Sequence, residues 1–187
     1  MTAQVIEFGT GTASVYTPTL GIAAAGGFSA TATLVHTGGI PATAGTVGTD
    51  STPVTTEVDV CEVFIPCNMT VTGIAYLKGS IVGTDSVILS LYDSTGAVVA
   101  NSALAGTAIA ATVDIYQRVA FTAPYAAVGP ATYYVGLSVN GTTDRYNTHV
   151  FGNFRAGTIT GETFGTLQDI TPPTTFTASQ GPIASLY

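Results

Sequence analysis

Residues 85–100, DSVILSLYDSTGAVVA, decide the fold class of this chain. Val87, Leu89 and Leu91 recur at every second position, so an extended backbone places all three side chains on one face. The Asp-Ser-Thr-Gly sequence that follows has side chains that hydrogen-bond their own backbone and a glycine that accepts a positive φ. The next apolar run resumes the extended pattern. The stretch therefore predicts a β-hairpin over residues 86–100.

Further strand patterns lie on both sides of this hairpin. β-branched and aromatic residues, which favour extended structure, are concentrated in five other segments. These segments are 58–65, 70–77, 113–121, 132–139 and 145–151. Helix is disfavoured, because even the alanine-rich stretch 103–111 is interrupted by glycine and threonine. Short strands joined by short turns predict an all-β fold, a single antiparallel β-sandwich of the jelly-roll or immunoglobulin-like kind.

Composition divides the chain into three regions. Residues 1–56 contain two charged side chains, Glu7 and Asp50, no lysine or arginine, and mostly Gly, Ala, Thr and Val. Such residues are too small to form a core and carry too little charge for ordinary disorder, which predicts a long extended assembly arm. Residues 57–153 are the predicted sandwich domain. Residues 154–187 are predicted to form an extended C-terminal tail, with one added strand as the open alternative.

The charge balance excludes two classes of partner. The formal net charge is −7, and the only cationic side chains are Lys78, Arg118, Arg145 and Arg155. Nucleic-acid backbones require clustered cations, and anionic membranes repel an acidic surface, so neither is an expected partner. Charged residues make up 8% of the chain, against about 25% in an ordinary domain. A surface so poor in charge is expected to be covered by other proteins.

The residues offer little for catalysis or metal binding. The chain has two histidines, His36 and His149, and two cysteines, Cys61 and Cys67. Cys61 and His149 form a conceivable nucleophile–base pair, but nothing nearby activates the thiol. The cysteine spacing does not match structural zinc sites, and without a secretion signal we expect both thiols to be reduced. The sequence predicts no enzyme, no catalytic residue, no metal and no cofactor.

An acidic cluster early in the sandwich domain has two interpretations. Glu57 and Asp59 are predicted on one strand face and Glu62 on the other. A shared calcium ion would need ligands from a loop as well. We therefore interpret the three carboxylates as a solvated edge of the sandwich.

The tyrosines also have two interpretations. Exposed rings stack on sugars, whereas half-buried rings fill a core edge and keep their hydroxyl groups wet. In a chain without tryptophan, packing is the favoured role and glycan binding the alternative. The tyrosines concerned are Tyr116, Tyr125, Tyr133, Tyr134 and Tyr146.

The layout of the chain resembles that of virion structural proteins of tailed bacteriophages, and among them capsid decoration (cement) proteins. The resemblance rests on the uncharged arm, with blocks such as GTGT at 9–12 and AAAGG at 23–27, on the sandwich, and on the terminus ITPPTTFTASQGPIASLY at 170–187. It implies a protein made in the host cytoplasm that binds the outer capsid surface and staples neighbouring subunits. Its partners would be the major capsid protein or other virion proteins, and copies of itself, with a trimer favoured.

Large apolar side chains of the arm and the tail are the candidate interface residues. They are Val5, Ile6, Phe8, Phe28, Phe176, Ile183, Leu186 and Tyr187. The alternative function is a carbohydrate- or receptor-binding module of a phage fibre or tail, which would use the same sandwich with its tyrosines or acidic loops as the binding face.

Overall fold

A computed structural model describes residues 35–39, 47–81 and 83–187. These residues form strands and no helix, so they contain no helix long and apolar enough to cross a bilayer. The strands are β1 (Val35–His36), β2 (Val47–Ser51), β3 (Glu57–Ile65), β4 (Met69–Leu77), β5 (Ser86–Tyr92), β6 (Val98–Asn101), β7 (Thr107–Ala108), β8 (Tyr116–Ala127), β9 (Ala131–Val139), β10 (Tyr146–His149), β11 (Ala156–Thr160) and β12 (Ala184–Leu186).

The strands pair antiparallel in three sheets. A four-stranded sheet has the order β1-β12-β4-β8, and a six-stranded sheet has the order β11-β3-β9-β5-β6, with β7 also paired to β5. A two-stranded sheet pairs β10 with β2. Single bridges from Lys78 to Tyr146 and from Thr148 to Pro182 connect β10 to segments that adjoin the four-stranded sheet. The predicted all-β, antiparallel architecture is confirmed, and it is compatible with a β-sandwich.

The main core lies between the four-stranded and six-stranded sheets. Val87, Leu89 and Leu91 are fully buried in it, on the face that their alternation predicts. Ile74 and Leu186 contribute to the same apolar cluster from β4 and β12. The predicted hairpin is present, because β5 pairs with β6 around the Asp-Ser-Thr-Gly turn.

The six-stranded sheet is buried on its other face as well. Val58 and Val60 alternate with the core-facing residues of β3, and they form a second apolar cluster with Tyr92, Tyr134 and Ile170. Ile170 belongs to residues 161–176, which we call the strap. The strap covers this outer face, so the sheet has apolar contacts on both sides.

Hydrogen bonds to backbone groups hold the strap against the sheet. The amide of Ile170 donates to the carbonyl of Gly96 at 2.9 Å, and the carboxylate of Asp169 accepts the amide of Val98, also at 2.9 Å. Gly96 has a φ of +91°, and a Cβ atom there would lie 2.0 Å from the Ile170 carbonyl oxygen, so only glycine fits under the strap. Directly after the strap, the amide of Thr177 donates to the carbonyl of Ala156, and the chain then continues to β12.

Parts of the predicted arm and tail belong to the sheets. Val35–His36 and Val47–Ser51 lie within the predicted arm, and both are paired with later strands. Within the predicted tail, β11 pairs with β3 and β12 lies between β1 and β4. Residues 1–34 and 40–46 lie outside the described residues.

Candidate functional site

The hydroxyl group of Thr37 joins three segments that are far apart in sequence. Its Oγ1 atom lies 3.0 Å from Nε2 of His149 on β10 and 3.0 Å from the carbonyl oxygen of Pro182. The amide of Ala184 on β12 donates to the same oxygen at 2.9 Å. Thr37 also forms an antiparallel bridge with Val63 on β3. We call this group of contacts the Thr37 junction.

The hydrogen-bonding capacity of the hydroxyl fixes the histidine tautomer. One hydroxyl donates one proton and accepts at two lone pairs. The Thr37 oxygen accepts from the Ala184 amide, and its own proton faces two carbonyl acceptors, Pro182 at 3.0 Å and Ala184 at 3.3 Å. When the proton goes to either carbonyl, the remaining lone pair accepts from a protonated Nε2 of His149. The Nδ1 atom of His149 then carries no proton, and it is buried without a hydrogen-bond partner. The imidazole of His149 is therefore neutral.

The conceivable Cys61–His149 pair is placed at this junction, away from solvent. Both side chains are fully buried, and the ring of His149 packs edge-on against Phe154 at a centroid distance of 4.8 Å. Burial, with a smaller contribution from the nearby His36, lowers the pKa of His149 to about 4. Burial raises the pKa of the Cys61 thiol above its ordinary value. A protonated thiol without solvent contact is not a nucleophile at neutral pH.

The acidic cluster is not a solvated edge, which corrects the sequence interpretation. Asp59 points into the protein and is 5% exposed. It accepts hydrogen bonds from the hydroxyl groups of Tyr146 and of Thr158, the latter at 2.6 Å. Burial raises its pKa to about 6, although the two hydrogen bonds act in the opposite direction. Alternation predicted that Asp59 and Glu62 lie on opposite faces but not that β10 would cover Asp59.

Glu62, on the other face of β3, forms an ion pair with Arg155. The Nε atom of Arg155 donates to the Glu62 carboxylate at 2.9 Å, and the Arg155 amide donates to the same oxygen at 2.8 Å. Within residues 35–39, 47–81 and 83–187, no three His, Cys, Asp or Glu side chains are grouped to hold a metal ion. Cys61 and Cys67 are free thiols.

The strand register shows where the N-terminal segment joins the described structure. The bridge between Thr37 and Val63 is antiparallel, so continuing it by two residues sets Val35 level with Ile65, the last residue of β3. Val35 is buried in the main core and pairs with Leu186. The chain that precedes Val35 therefore departs at the end of the fold that carries the β3–β4 turn.

Two turns meet at this end, which we call the tip and define as residues 64–70 and 126–131. The amide of Gly129 donates to the Asn68 side chain at 2.9 Å. A Cβ atom on Gly129 would lie 2.6 Å from the amide nitrogen of Cys67, so the two turns are in direct contact. Val128 and Phe64 are 63% and 52% exposed. Asn68, Met69, Thr70 and residues 126–128 line a shallow cavity of about 380 Å³.

Charge is distributed unevenly between the two ends of the fold. Residues 63–77 and 119–143, which contain the tip, include no charged side chain. At the opposite end, Lys78 and Asp144 form a buried pair with 3.6 Å between Nζ and Oδ1, and the Asp85 carboxylate accepts the amides of residues 143 and 144. Asp93 begins the β5–β6 turn, and the preceding residue, Tyr92, pairs with Tyr134, three residues beyond the tip.

A second apolar patch lies in the loop after β10. Phe151 is 54% exposed and Val150 is 43% exposed. Together with Gly38, Asn153 and Phe154, this loop surrounds a cavity of about 350 Å³. The cavity in this patch and the cavity at the tip share no lining residue.

The predicted interface residues of the tail are placed differently from one another. Ile183 and Leu186 are fully buried in the chain itself and offer no side-chain surface to a partner. Phe176 is half-buried against Phe154, with ring centroids 5.2 Å apart. Tyr187 is half-buried, and the guanidinium of Arg118 lies 3.9 Å from its ring centroid. The predicted arm residues Val5, Ile6, Phe8 and Phe28 lie outside the described residues.

The tyrosines pack mainly inside the protein. Tyr133, Tyr134 and Tyr146 are buried, Tyr125 is half-buried, and Tyr116 is 37% exposed. They do not form a shared exposed ring surface of the kind that stacks on sugars.

Sequence reasoning did not single out Thr37, Phe64 or Val128. A threonine among many in a Gly/Thr-rich region carries no local sign that three distant segments meet at its hydroxyl. Two signals pointed to the tip: the long uncharged runs 63–77 and 119–143, and the position of Phe64 on the same strand face as Glu62. No protein-family model, curated protein or solved structure matches this chain.

Proposed function

We propose that this chain is a non-enzymatic structural protein of a virion, a capsid decoration (cement) protein that binds the outer capsid surface and staples neighbouring subunits. The observation that carries the proposal is the Thr37 junction at the root of the N-terminal segment. The proposal includes a sandwich of the jelly-roll or immunoglobulin-like kind, synthesis in the host cytoplasm, and assembly with the major capsid protein or other virion proteins.

The junction suits a chain that must bear load through its N-terminal segment. β1 is two residues long, and its ladder with β12 alone is a weak attachment. The hydroxyl of Thr37 adds buried hydrogen bonds to His149 on β10 and to Pro182 and Ala184 in the segment that contains β12. Breaking a buried hydrogen bond is energetically unfavourable when its donor and acceptor stay unpaired. A pull on the segment before Val35 is thus shared among several elements.

The composition of the N-terminal segment supports attachment to protein surfaces. Residues 1–34 contain one formally charged side chain, Glu7. Fully extended, 34 residues reach about 110 Å at about 3.3 Å per residue, far enough to touch more than one subunit of a shell. Uncharged segments of this kind bind by adding a strand to an exposed sheet edge or by filling shallow apolar grooves.

The burial of the reactive side chains among the described residues also supports a role in binding. The thiol of Cys61 and the imidazole of His149 are the pair most suited to catalysis, and both are buried and uncharged. Their contacts are explained by packing at the junction. A structural role requires no change in the positions of Cys61 and His149, whereas catalysis would require the junction to open.

Electron cryo-microscopy of virus particles that contain this chain tests the proposal. We expect density on the outer capsid, with N-terminal segments that reach neighbouring subunits. A variant that lacks residues 1–34 keeps β1 and should fold but lose attachment, whereas removal of residues 1–56 would also remove β1 and β2. Unchanged attachment of the shorter chain, or absence of the protein from every particle, would refute the proposal.

A carbohydrate- or receptor-binding module of a fibre or tail is the second candidate. It is favoured by one observation, the exposed ring of Phe151 beside the amide of Asn153 at the edge of a cavity. Aromatic rings stack on sugar faces, and an adjacent amide can bond the hydroxyl groups. Density at a fibre tip together with binding to a glycan array that Phe151→Ala abolishes would support this candidate.

A further inference from the structure

We infer that the tip is the surface through which copies of this chain associate with one another. The resemblance implied association between copies without indicating a surface. The inference names that surface, and it does not depend on which virion surface the protein binds. It rests on two features of the tip: exposed apolar side chains and the absence of charge.

The exposed side chains at the tip are shaped for a contact between identical surfaces. Val128 in the β8–β9 turn is 63% exposed. It stands at the edge of a shallow cavity whose other lining residues are Ala126, Ala127 and, from the neighbouring turn, Asn68, Met69 and Thr70. An exposed side chain and a shallow cavity on one surface allow two copies related by a rotation axis to insert into each other. Phe64 extends the apolar area to the outer face of β3.

The charge distribution selects a second copy as the occupant. Each chain carries a formal net charge of −7, so two copies repel each other wherever their charged surfaces approach. Residues 64–70 and 126–131 contain no charged side chain. The Glu62–Arg155 ion pair, beside Phe64 on the same face of β3, adds no net charge to this surface. Contact through the tip also directs the end that carries Lys78, Asp85 and Asp144 away from the neighbouring copy. At physiological salt, charges more than about 8 Å apart are largely screened, so this orientation removes most of the repulsion.

The place where the N-terminal segment joins the fold adds a consequence to self-association at the tip. Residues 1–34 join at Val35, level with Ile65 and the β3–β4 turn. Copies that meet at their tips therefore bring their N-terminal segments together at one place. Segments held close together bind a multivalent surface at a higher effective concentration than isolated segments.

Sedimentation velocity and light scattering of the full chain, over a micromolar concentration series, test the inference. We expect the wild-type protein to have the mass of an oligomer. Val128→Glu and Phe64→Glu introduce a charge at the tip, and each should weaken self-association by at least about tenfold. Phe151→Glu is the matched control for Phe64→Glu, since the two rings are 54% and 52% exposed. Val150→Glu, at a residue that is 43% exposed, adds the same charge as Val128→Glu. Both controls lie in the second apolar patch and should leave the mass unchanged.

Circular dichroism and thermal unfolding of each variant verify that a lower mass reflects dissociation of folded chains. A wild-type chain that stays monomeric throughout the series overturns the inference, as does equal dissociation by the control variants. A chain that lacks residues 1–34 distinguishes association through the tip from association through the N-terminal segments. If this chain is monomeric while Val128→Glu remains oligomeric, the N-terminal segments alone hold the copies together and the inference fails.

Discussion

The hydroxyl oxygen of Thr37 lies 3.0 Å from Nε2 of His149, a residue 112 positions later in the chain. Through that oxygen, β1 is bonded to β10 and, by the amide of Ala184, to β12. The three strands belong to two different sheets. One side chain thus ties the first described strand to the last one and to the strand that covers Asp59.

Removing the hydroxyl should strongly destabilise the protein. Thr37→Val keeps the shape of the side chain but leaves the His149 ring, the Ala184 amide and the Pro182 carbonyl without their partner. Buried groups left unpaired cost about 1–3 kcal/mol each, so we expect a loss of about 3 kcal/mol in the free energy of unfolding in urea. Thr37→Ser keeps the hydroxyl and should cost about 1 kcal/mol. Equal losses in both variants would show that the hydrogen bonds contribute little.

Acid should weaken the fold through His149. Burial lowers its pKa from 6.5 to about 4, so between these values the unfolded chain binds a proton that the folded protein does not. Stability is therefore fully present above pH 6.5 and declines as the pH falls, by about 3 kcal/mol near pH 4. Burial also lowers the pKa of His36, which adds to the same trend.

The variant His149→Gln isolates this contribution. The glutamine amide can still donate to Thr37, but it does not titrate. Urea unfolding between pH 7 and pH 4 should show a smaller loss of stability for this variant than for the wild-type protein. Parallel curves for the two proteins would mean that His149 is not responsible for the acid sensitivity.

Asp59 should produce the opposite pH dependence. Its folded pKa is raised to about 6 by burial, against an ordinary value of 3.8, so the unfolded chain loses its proton first as the pH rises. This group therefore destabilises the folded state progressively between pH 3.8 and pH 6, by about 3 kcal/mol in total. Glu57, which adds to the raised pKa, and the hydroxyl of Tyr146 are the ionisable groups that act on it.

Replacing Asp59 with asparagine should therefore stabilise the protein above pH 6 and have little effect near pH 4. The amide keeps an acceptor and a donor for the hydroxyl groups of Tyr146 and Thr158. Glu62→Gln is a control of opposite sign, because hydrogen bonds and the charge of Arg155 outweigh burial and lower the pKa of Glu62. That variant should lose stability at neutral pH. A destabilised Asp59→Asn variant at pH 8 would contradict the burial argument.

The strap should loosen when Gly96 gains a side chain. In Gly96→Ala the new Cβ atom would lie 2.0 Å from the Ile170 carbonyl oxygen, at a φ of +91°. Gly161→Ala has nearly the same φ, +89°, with no atom within 4 Å, so it measures the backbone cost alone. We expect about 1 kcal/mol for the control and a further loss of about 2 kcal/mol for Gly96→Ala. Thermal unfolding gives the difference, and faster proteolysis within residues 161–176 would locate it.

Strands with regular alternation could be predicted from the sequence. The hairpin at 86–100 and the strands near 58–65, 70–77 and 132–139 all appear in the structure within a residue or two of their predicted ends. Their side chains alternate between apolar and polar or are β-branched, so local sequence and tertiary packing agree. The strand predicted at 113–121 begins and ends later, at Tyr116 and Ala127.

The missed strands lack such patterns. β1 and β12 have two and three residues, and each is extended because a neighbouring strand bonds to it. β11 reads AGTIT, which is indistinguishable from the Gly/Thr-rich sequence around it. The burial of Asp59 also depends on β10, which is far away in the sequence. Pairing partners distant in sequence leave no periodicity, so these features could not be predicted from the chain alone.

The location of β12 has a consequence for protein synthesis. β1 is held in its sheet by β12, a strand that the ribosome makes about 150 residues later, so a chain interrupted before Ala184 has no partner for Val35 and His36. The strand from which the N-terminal segment extends is held in its sheet only after residues 184–186 have been synthesised. Unfinished chains would therefore be poor competitors for any place that the complete protein occupies.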